Sequence, residues 1–540
     1  MTDKGNNRGI KMTKKILITD GISSEAKKKL EEQFMVEDKK GLSPEKLKEE
    51  IKGVSAIIIR SATKLTSDII EASDKLEIIG RAGIGVDNVD VSAATKKGII
   101  VVNAPTSNAV TVAEHTIALM LSLVRKIPEA NFSLKGGRWE KSKFRGIELE
   151  GKTLGIVGFG QIGGLVAKKA IGLGMKVIAY DPFVSEDRFK QLEIRKADRL
   201  ENIYEEADFI SIHLPKNKDT LGMFDKAEFY KMKKGTIILN VARGGIVVEK
   251  DLAEAIRGGQ IGGAALDVYE VEPCTDSPVF KLEEVVCTPH LGASTTEAQD
   301  RAGTTIAEQV IDVLNGKNAT FPVNAPAIRP EQMEVLSPFF ELCENLGSLF
   351  INLVEGNLDS LKIGYYGKVS EYDVRVPTSV ILVKILERYS AENVNMVNVD
   401  LVTKETGLKV KVVKSSQSKD FINLITLEGK GKDSELSISG TTTGKKDTPR
   451  FIAIDKFEID MVPSKYMAFI RYRDIPGQIG KIGTAFGELN VNIASMHVGR
   501  KKMSGDAVMG LNLDNEVNPE MLEEFKKLSG FKNIKIVTLY

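Results

Sequence analysis

The stretch Leu154-Gly-Ile-Val-Gly-Phe-Gly-Gln-Ile-Gly163, followed one helix later by Val177-Ile-Ala-Tyr-Asp181, constrains this chain more than any other. The apolar run from Leu154 to Val157 has the composition of a buried parallel strand, and Gly158, Gly160 and Gly163 supply the G-x-G-x-x-G spacing. The first glycine permits a tight turn, the second lets backbone approach a pyrophosphate, and the third lets a helix pack closely on the strand. The N-terminus of that helix then faces the anion. A second apolar strand ends at Asp181, where a carboxylate would accept the ribose hydroxyls of a dinucleotide and repel a 2′-phosphate. Glycine-rich turns are common, so the triplet alone says little. Strand, glycines, helix, strand and acid in this order predict a site for NAD rather than NADP.

Lys+Arg number 75 against 74 Asp+Glu, so no global pull toward nucleic acid or acidic membranes is expected. Hydrophobic residues make up 42% and charged residues 28%, a balance of folded domains rather than disorder. A chain of 540 residues has room for roughly three or four such domains. Cys274, Cys287 and Cys343 lie far apart without a CxxC pair, which argues against a disulfide scaffold or a metal site and fits a reducing cytoplasm. The most apolar helix-like stretch, Thr116 to Val124, is too short to cross a bilayer. Residues 1–11 have no apolar signal region and are expected to form a disordered extension, with Met12 as an alternative start.

From Lys15 to about Pro105 short β-branched runs alternate with amphipathic ones. Strands are expected at 15–18, 56–59, 78–80 and 99–101, and helices at 24–33, 44–52 (capped by Ser43) and 67–72. That alternation predicts a doubly wound parallel sheet. A long helix, about 111–125, leads into the dinucleotide unit, where further strands are expected at 209–213, 236–240, 263–266 and 285–288. A helix of about 295–314 leads back. The pattern is α/β, with two Rossmann-like parallel-sheet domains joined by two crossings, near 105–112 and near 295. After Pro330 the character changes to an α+β module, with helices expected at 331–353 and 379–389 and strands at 398–402, 408–413, 421–427 and 434–439. Residues 466–540 alternate as βαββαβ, a ferredoxin-like split unit.

Three polar residues stand at the ends of strands in the nucleotide unit: Arg243 in Asn240-Val-Ala-Arg-Gly-Gly245, Glu272 in Asp267-Val-Tyr-Glu-Val-Glu-Pro273, and His290 in Thr288-Pro-His-Leu-Gly-Ala293. Ligands of open α/β sheets bind beyond the carboxyl ends of the strands, so the three can converge beside a nicotinamide. Their types suit oxidation of a 2-hydroxy acid. An imidazole is poised to take the hydroxyl proton near neutral pH, a neighbouring carboxylate raises its pKa and fixes its tautomer, and an arginine grips the substrate carboxylate through two hydrogen bonds. Each residue singly has a plainer role, capping a turn, solvating a loop or packing at a strand end.

These motifs, with Ile59-Arg-Ser-Ala-Thr-Lys64 and Gly80-Arg-Ala-Gly-Ile-Gly-Val-Asp-Asn-Val-Asp90, resemble the D-isomer-specific 2-hydroxyacid dehydrogenase family in its long form, over residues 14–540. The resemblance implies a substrate-binding domain (12–110 and 296–328), an NAD-binding domain (111–295), an intervening regulatory and assembly domain (329–462) and a C-terminal ACT domain (463–540) that senses an amino acid. It implies NAD-dependent oxidation of 3-phospho-D-glycerate to 3-phosphohydroxypyruvate, the opening step of L-serine biosynthesis, in a cytoplasmic homo-oligomer, with a tetramer expected over a dimer. Arg243 would orient the substrate, His290 act as acid and base, and Glu272 partner it. Arg60, Ser61, Gly83 and Asn108 would bind substrate. Gly158, Gly160, Gln161, Ile162 and Gly163 would meet the pyrophosphate and Asp181 the ribose, while Leu214, Val241, Ala242, Asp267, Gly292 and Ala293 line the adenine and nicotinamide positions. Trp139 and Lys141 fall in a segment that crosses to a neighbouring subunit in the family, though a lone Trp is also a natural core or interface anchor. Tyr472, Asp474 and Asn492 match positions that hold the effector L-serine in relatives. Lys445, Lys446 and Arg450 would form an anion site, or simply a solvated basic loop.

Two rival readings remain open at this level. One is another 2-hydroxy acid dehydrogenase, such as a glyoxylate or hydroxypyruvate reductase, whose relatives usually end near the return helix. The other is a non-catalytic dinucleotide sensor that reuses the fold to bind partners. The residues after Pro330 argue against the first, and the sensing module without a basic or disordered arm argues against the second.

Overall fold

The computed structural model describes residues 14–327, 330–390, 393–418, 420–432 and 434–539. The expected extension at 1–11 and the boundary drawn at 328–329 lie outside them. Five strands, β1 (Lys15–Ile18), β2 (Met35–Asp38), β3 (Ala56–Ile59), β4 (Ile78–Arg81) and β5 (Ile100–Val102), form a parallel sheet in the order β2-β1-β3-β4-β5. Ala-Ile-Ile-Ile in β3 is buried throughout, as a strand covered on both faces requires. Ser43 caps the helix Pro44–Glu50 as expected, accepting from Lys46 N at 3.4 Å. Edge strand β2, which the sequence pattern did not announce, is largely solvent-facing, so Met-Val-Glu-Asp needs no continuous apolar run.

The helix Ala109–Val124 carries the chain to a second sheet. Its strands are β6 (Thr153–Val157), β7 (Lys176–Tyr180), β8 (Arg195–Lys196), β9 (Phe209–Ile212), β10 (Thr236–Asn240), β11 (Ile261–Leu266) and β12 (Val285–Cys287). All pair in parallel in the order β12-β11-β10-β9-β6-β7-β8. Strand order reverses between β6 and β9, which opens a crevice beyond their carboxyl ends. The helix Thr296–Leu314, capped by the Thr295 hydroxyl, returns to the first sheet. Ile306 on it lies so near β4 that a Cβ at Gly80 would stand 2.6 Å from its Cγ2. The return helix therefore belongs to the first core, beside Ile16, Ile58 and Ile78.

The third sheet comprises β13 (Ser360–Gly367), β14 (Lys409–Ser415), β15 (Asn423–Lys430), β16 (Glu435–Thr443), β17 (Thr448–Ile454) and β18 (Phe457–Met461), ordered β14-β13-β15-β16-β17-β18. Only β13 and β14 pair in parallel. Two expectations fail here. Residues 398–402, read as a strand, open a helix, Val399–Glu405, with Val399, Val402 and Thr403 buried on one face; the β-branched run masked a helical period. The single helix expected over 331–353 is two, Pro330–Leu336 and Pro338–Leu353, because Pro338 offers no N–H to continue the first.

The fourth sheet is antiparallel, β19 (Tyr466–Arg473), β20 (Ile493–Arg500), β21 (Asp506–Leu513) and β22 (Ile534–Thr538), in the order β20-β21-β19-β22 with two helices, Gln478–Glu488 and Pro519–Ser529. This is the expected split βαββαβ unit. It is not a free lobe. Met467, Phe469, Val537 and Leu539 share one core with Leu349, Phe350, Ile454 and Met461 of the third sheet unit, and Lys535 pairs with Glu355 at 2.8 Å. No helix among the described residues is long and apolar enough to cross a membrane.

Candidate active site

The glycine turn after β6 has the shape the sequence requires. Gly158 adopts φ +95, and a Cβ there would stand 2.4 Å from His213 O. A Cβ at Gly163 would stand 2.2 Å from Gly158 O, whereas Gly160 faces open space. Helix Gln161–Gly172 begins beyond Gly160 without a side-chain cap, so its first N–H groups are available to an anion. Asp181, just past β7, accepts Phe159 N at 2.8 Å on Oδ2 and Phe183 N at 2.9 Å on Oδ1. Those bonds hold the carboxylate against the turn, and each oxygen keeps a lone pair for a ribose hydroxyl. Leu214 packs beside Gly158, within 3.1 Å of its ideal Cβ, and Val241 lies beside Gly292, within 3.2 Å of its ideal Cβ. Ile162 and Ala242 are half-buried near these elements, and Gln161 is exposed at the helix start. The residues present fit NAD: an open glycine cradle, an uncapped helix and an acid where a 2′-phosphate would be repelled.

Beyond β11, Asp267 is 1% exposed and ties several segments together. Its carboxylate accepts Thr288 Oγ1 at 2.6 Å, Leu291 N at 2.7 Å and Gly292 N at 2.8 Å, and lies 3.3 Å from His115 Nε2. Burial alone would raise the Asp267 pKa, but the bonds from His115, Thr288 and the two N–H groups hold it below the usual carboxylate range. This anchor fixes the loop carrying His290 and sets Gly292, with Ala293 next in the chain, beside Val241. His290 itself adopts φ +57, a left-handed conformation that costs a non-glycine residue about 1–3 kcal/mol. The Asp267 bonds to the two following N–H groups hold it there.

His290 Nδ1 lies 2.7 Å from Glu272 Oε2. Glu272 Oε1 accepts Tyr269 N at 3.0 Å, so the carboxylate is aimed from both sides. The hydrogen bond to Glu272 and its charge raise the imidazole pKa, opposed by desolvation and by Arg243. Burial works against ionised Glu272, but His290 and Tyr269 N keep its pKa lowered. With Nδ1 engaged, Nε2 is the nitrogen left for a substrate proton.

Arg243, past β10, donates from Nη1 to Ala242 O at 2.7 Å, and its Nε lies 3.3 Å from Asp87 Oδ2 on the first sheet unit. Arg60 follows β3, where its N–H bonds Asp20 at 2.6 Å and its guanidinium reaches Gln299 at 3.4 Å. Asn108, before the crossing helix, is buried with its Oδ1 unpartnered. Ser61 is exposed and makes no described hydrogen bond. Gly83 makes room for a guanidinium, since a Cβ there would stand 1.6 Å from Arg81 Nη1. Arg81 is the residue sequence reasoning missed, although it lies inside the motif Gly80-Arg-Ala-Gly. Burial, with repulsion from Arg243 and Arg60, lowers its pKa to about 10, while Asp87 and Asp20 oppose the shift. Its Nε is buried without a partner. Arg81 is thus within charge range of both Arg60 and Arg243, and Arg243 is within charge range of His290.

The remaining expected residues divide. Trp139 is 83% exposed, so the core-anchor role does not apply to one chain by itself. Lys141 opens a short 3-10 turn, exposed. Lys445 and Lys446 are exposed in the β16–β17 turn, and Arg450 bonds Asp460. In the fourth sheet Tyr472 is buried with an unpartnered hydroxyl, and Asp474 Oδ2 bonds Arg500 Nη1 at 3.0 Å. Asn492 instead bonds Asp514 at 2.6 Å. Asn492 precedes β20 at the Tyr466 end of the sheet, and Asp474 follows β19 at the other. A strand's rise of about 3.3 Å per residue puts them roughly 20–25 Å apart. One chain does not bring the three effector candidates together.

Comparison with known proteins matches each part of this architecture. Residues 117–292 match the D-isomer specific 2-hydroxyacid dehydrogenase NAD binding domain, 335–455 the D-3-phosphoglycerate dehydrogenase intervening domain, and 466–530 the ACT domain. The chain is 42% identical over 526 residues to a Synechocystis protein named D-3-phosphoglycerate dehydrogenase, covering 97% of this chain and 95% of that protein. A Methanocaldococcus jannaschii protein of the same name is 40% identical, over 97% of this chain and all of its own. A solved structure from Thermus thermophilus superposes with a TM-score of 0.54 at 31% identity, over 57% of this chain and 99% of its own. The chain is an NAD-dependent oxidoreductase and belongs to the D-3-phosphoglycerate dehydrogenase family, the D-isomer specific 2-hydroxyacid dehydrogenases that carry an intervening domain and an ACT domain.

Proposed function

We propose that this enzyme oxidises 3-phospho-D-glycerate to 3-phosphohydroxypyruvate, the first step toward L-serine, with L-serine as a feedback effector. The observation that carries the substrate is the trio Arg60, Arg81 and Arg243 beside the His290–Glu272 pair. A substrate with a carboxylate at one end and a phosphate at the other gives that much positive charge two anionic partners. Arg243 takes the carboxylate, while Arg60 and Arg81 take the phosphate with Asn108, Ser61 and the Gly83 backbone nearby. His290 Nε2 removes the proton of the 2-hydroxyl, and Glu272 stabilises the imidazolium that forms. Bound NAD supplies the hydride acceptor. In the reverse direction His290 returns the proton to the carbonyl oxygen while Arg243 polarises it. The reading assigns 12–110 with 296–328 to substrate, 111–295 to NAD, 329–462 to regulation and assembly, and 463–540 to effector sensing.

Exposed Ile127, Phe132, Leu134 and Trp139 support pairing with a second copy, in a homo-oligomer that we take to be a tetramer. Free Cys274, Cys287 and Cys343 suit the reducing cytoplasm where we place it. The separation of Asn492 from Tyr472 and Asp474 supports an effector site shared between two ACT domains. The test is NADH oxidation by the purified chain with 3-phosphohydroxypyruvate, with and without L-serine. Rapid oxidation suppressed by serine is expected. Absence of oxidation while NADH still binds would overturn the substrate, and oxidation indifferent to serine would overturn the effector.

A further inference from the structure

Asp87 lies in the connection between β4 and the helix Val91–Lys96, on the first sheet unit, whereas Arg243 follows β10 on the second. Among the described residues theirs is the one ion pair that joins the two parallel-sheet units, with Arg243 Nε 3.3 Å from Asp87 Oδ2. Gly85 gives the pair its seat. A Cβ at Gly85 would stand 2.4 Å from Arg243 Nη2 and 2.7 Å from Asp87 Oδ2. Gly85 is not among the positive-φ glycines, so what it supplies is space rather than backbone freedom. Asp87 also faces buried Arg81, where it opposes the repulsion from Arg243 and Arg60.

We propose that Asp87 is a positioning residue that sets the angle at which Arg243 meets the substrate carboxylate. A guanidinium has five N–H donors in one plane. Asp87 Oδ2 stands 3.3 Å from Nε as a charge contact, covering that edge of the guanidinium, and Ala242 O takes one hydrogen of Nη1. The donors left are Nη2 and the outer hydrogen of Nη1, which form an end-on fork for a carboxylate. Without Asp87 the side chain is free to rotate about its long stem, and the arginine trio loses a counter-charge. The Asp87 side chain is 64% exposed, and exposed pairs contribute little to folding stability. Its effect is therefore expected in substrate kinetics and not in thermal stability. The inference rests on the assignment of Arg243 to the substrate carboxylate.

The experiment compares Asp87→Ala, Asp87→Asn, Gly85→Ala and Arg243→Ala in the full-length enzyme. It measures KM and kcat for 3-phosphohydroxypyruvate, NADH affinity by fluorescence, and Tm. Asp87→Ala is expected to raise KM by about 10- to 100-fold, the scale of a misplaced binding group, with NADH affinity and Tm close to the parent enzyme. Asp87→Asn keeps an acceptor for Nε and should recover part of the loss. Gly85→Ala leaves both charges in place but fills their seat, and should reproduce the KM defect. A KM within twofold of the parent in Asp87→Ala, or a loss shared equally by NADH affinity and Tm, would overturn the proposal. If Arg243→Ala left KM unchanged, the Arg243 assignment itself would be wrong and the proposal would fall with it, a result distinct from failure of Asp87 alone.

Discussion

The His290 imidazole is where the chemistry and the local electrostatics meet. Its pKa is raised chiefly by the Glu272 hydrogen bond, and hydroxyl oxidation needs the neutral ring. The rate of oxidation should therefore climb with pH through a value above the ordinary imidazole pKa of about 6.5, and the rate of carbonyl reduction should fall through the same value. Glu272→Gln removes the charge and should shift both limbs downward in a pH–rate profile; limbs that stay put would show that Glu272 does not set them. The same shift bears on stability. The raised imidazole contributes stability that is full below its unfolded value and fades as pH rises through the higher folded value, while the lowered Glu272 carboxyl contributes stability that is lost as pH falls through its folded value. His290→Asn should lower kcat by about 10²- to 10⁴-fold, the usual weight of general acid–base help, with NADH affinity retained. Turnover near that of the parent would take His290 out of the mechanism.

At the scale of elements, the strand–turn–helix at the nucleotide site leaves no slack. Gly163→Ala forces a Cβ against Gly158 O, and backbone cannot yield as a flexible side chain would. Overpacking of this kind costs about 1–3 kcal/mol, so a lowered Tm together with weaker NADH binding is expected by calorimetry and fluorescence titration; an unchanged NADH affinity would mean the turn is not where the pyrophosphate sits. This unit was legible in the sequence because glycine spacing and buried strands leave one physical solution. The helix at Val399–Glu405 was not, because Val and Thr suit either period and burial of a single face decided the outcome. Arg81 was hidden for another reason. Its importance comes from Arg60, brought beside it by the pairing of β3 with β4, and from Arg243, which joins them only after both sheets form. Edge strand β2, Met-Val-Glu-Asp, carries too few apolar positions to announce itself.

For the whole molecule, the layout of the fourth sheet makes a sharp demand on regulation. Asp474 and Asn492 stand at opposite ends of one sheet, so an effector touching both must bridge two chains. Asp474→Ala and Asn492→Ala should each abolish serine inhibition in homogeneous enzyme. When the two variants are co-assembled, one of the two sites in each mixed pair regains both wild-type residues, and partial inhibition should return in a steady-state assay. Failure to recover any inhibition in demonstrably mixed oligomers would place the effector within one chain or elsewhere. The four-sheet plan and the composition of this last unit were readable in advance, but the opposed placement of its candidate ligands emerged only from strand direction and register.

The apolar seam shared by Met467, Phe469, Val537 and Leu539 with Leu349, Phe350 and Met461 also limits how the chain can be cut and recombined. A splice at residue 462 looks natural from the two matched modules that flank it, yet it would pass through a continuous interior and leave both fragments with a greasy wound. Grafts that exchange the sensor between related enzymes should move residues 330–539 as one cassette, keeping the helix Pro330–Leu336 whole, and the variable partner in such hybrids is then the narrower junction at Asn395, whose side-chain amide donates to Gly98 O at 2.8 Å.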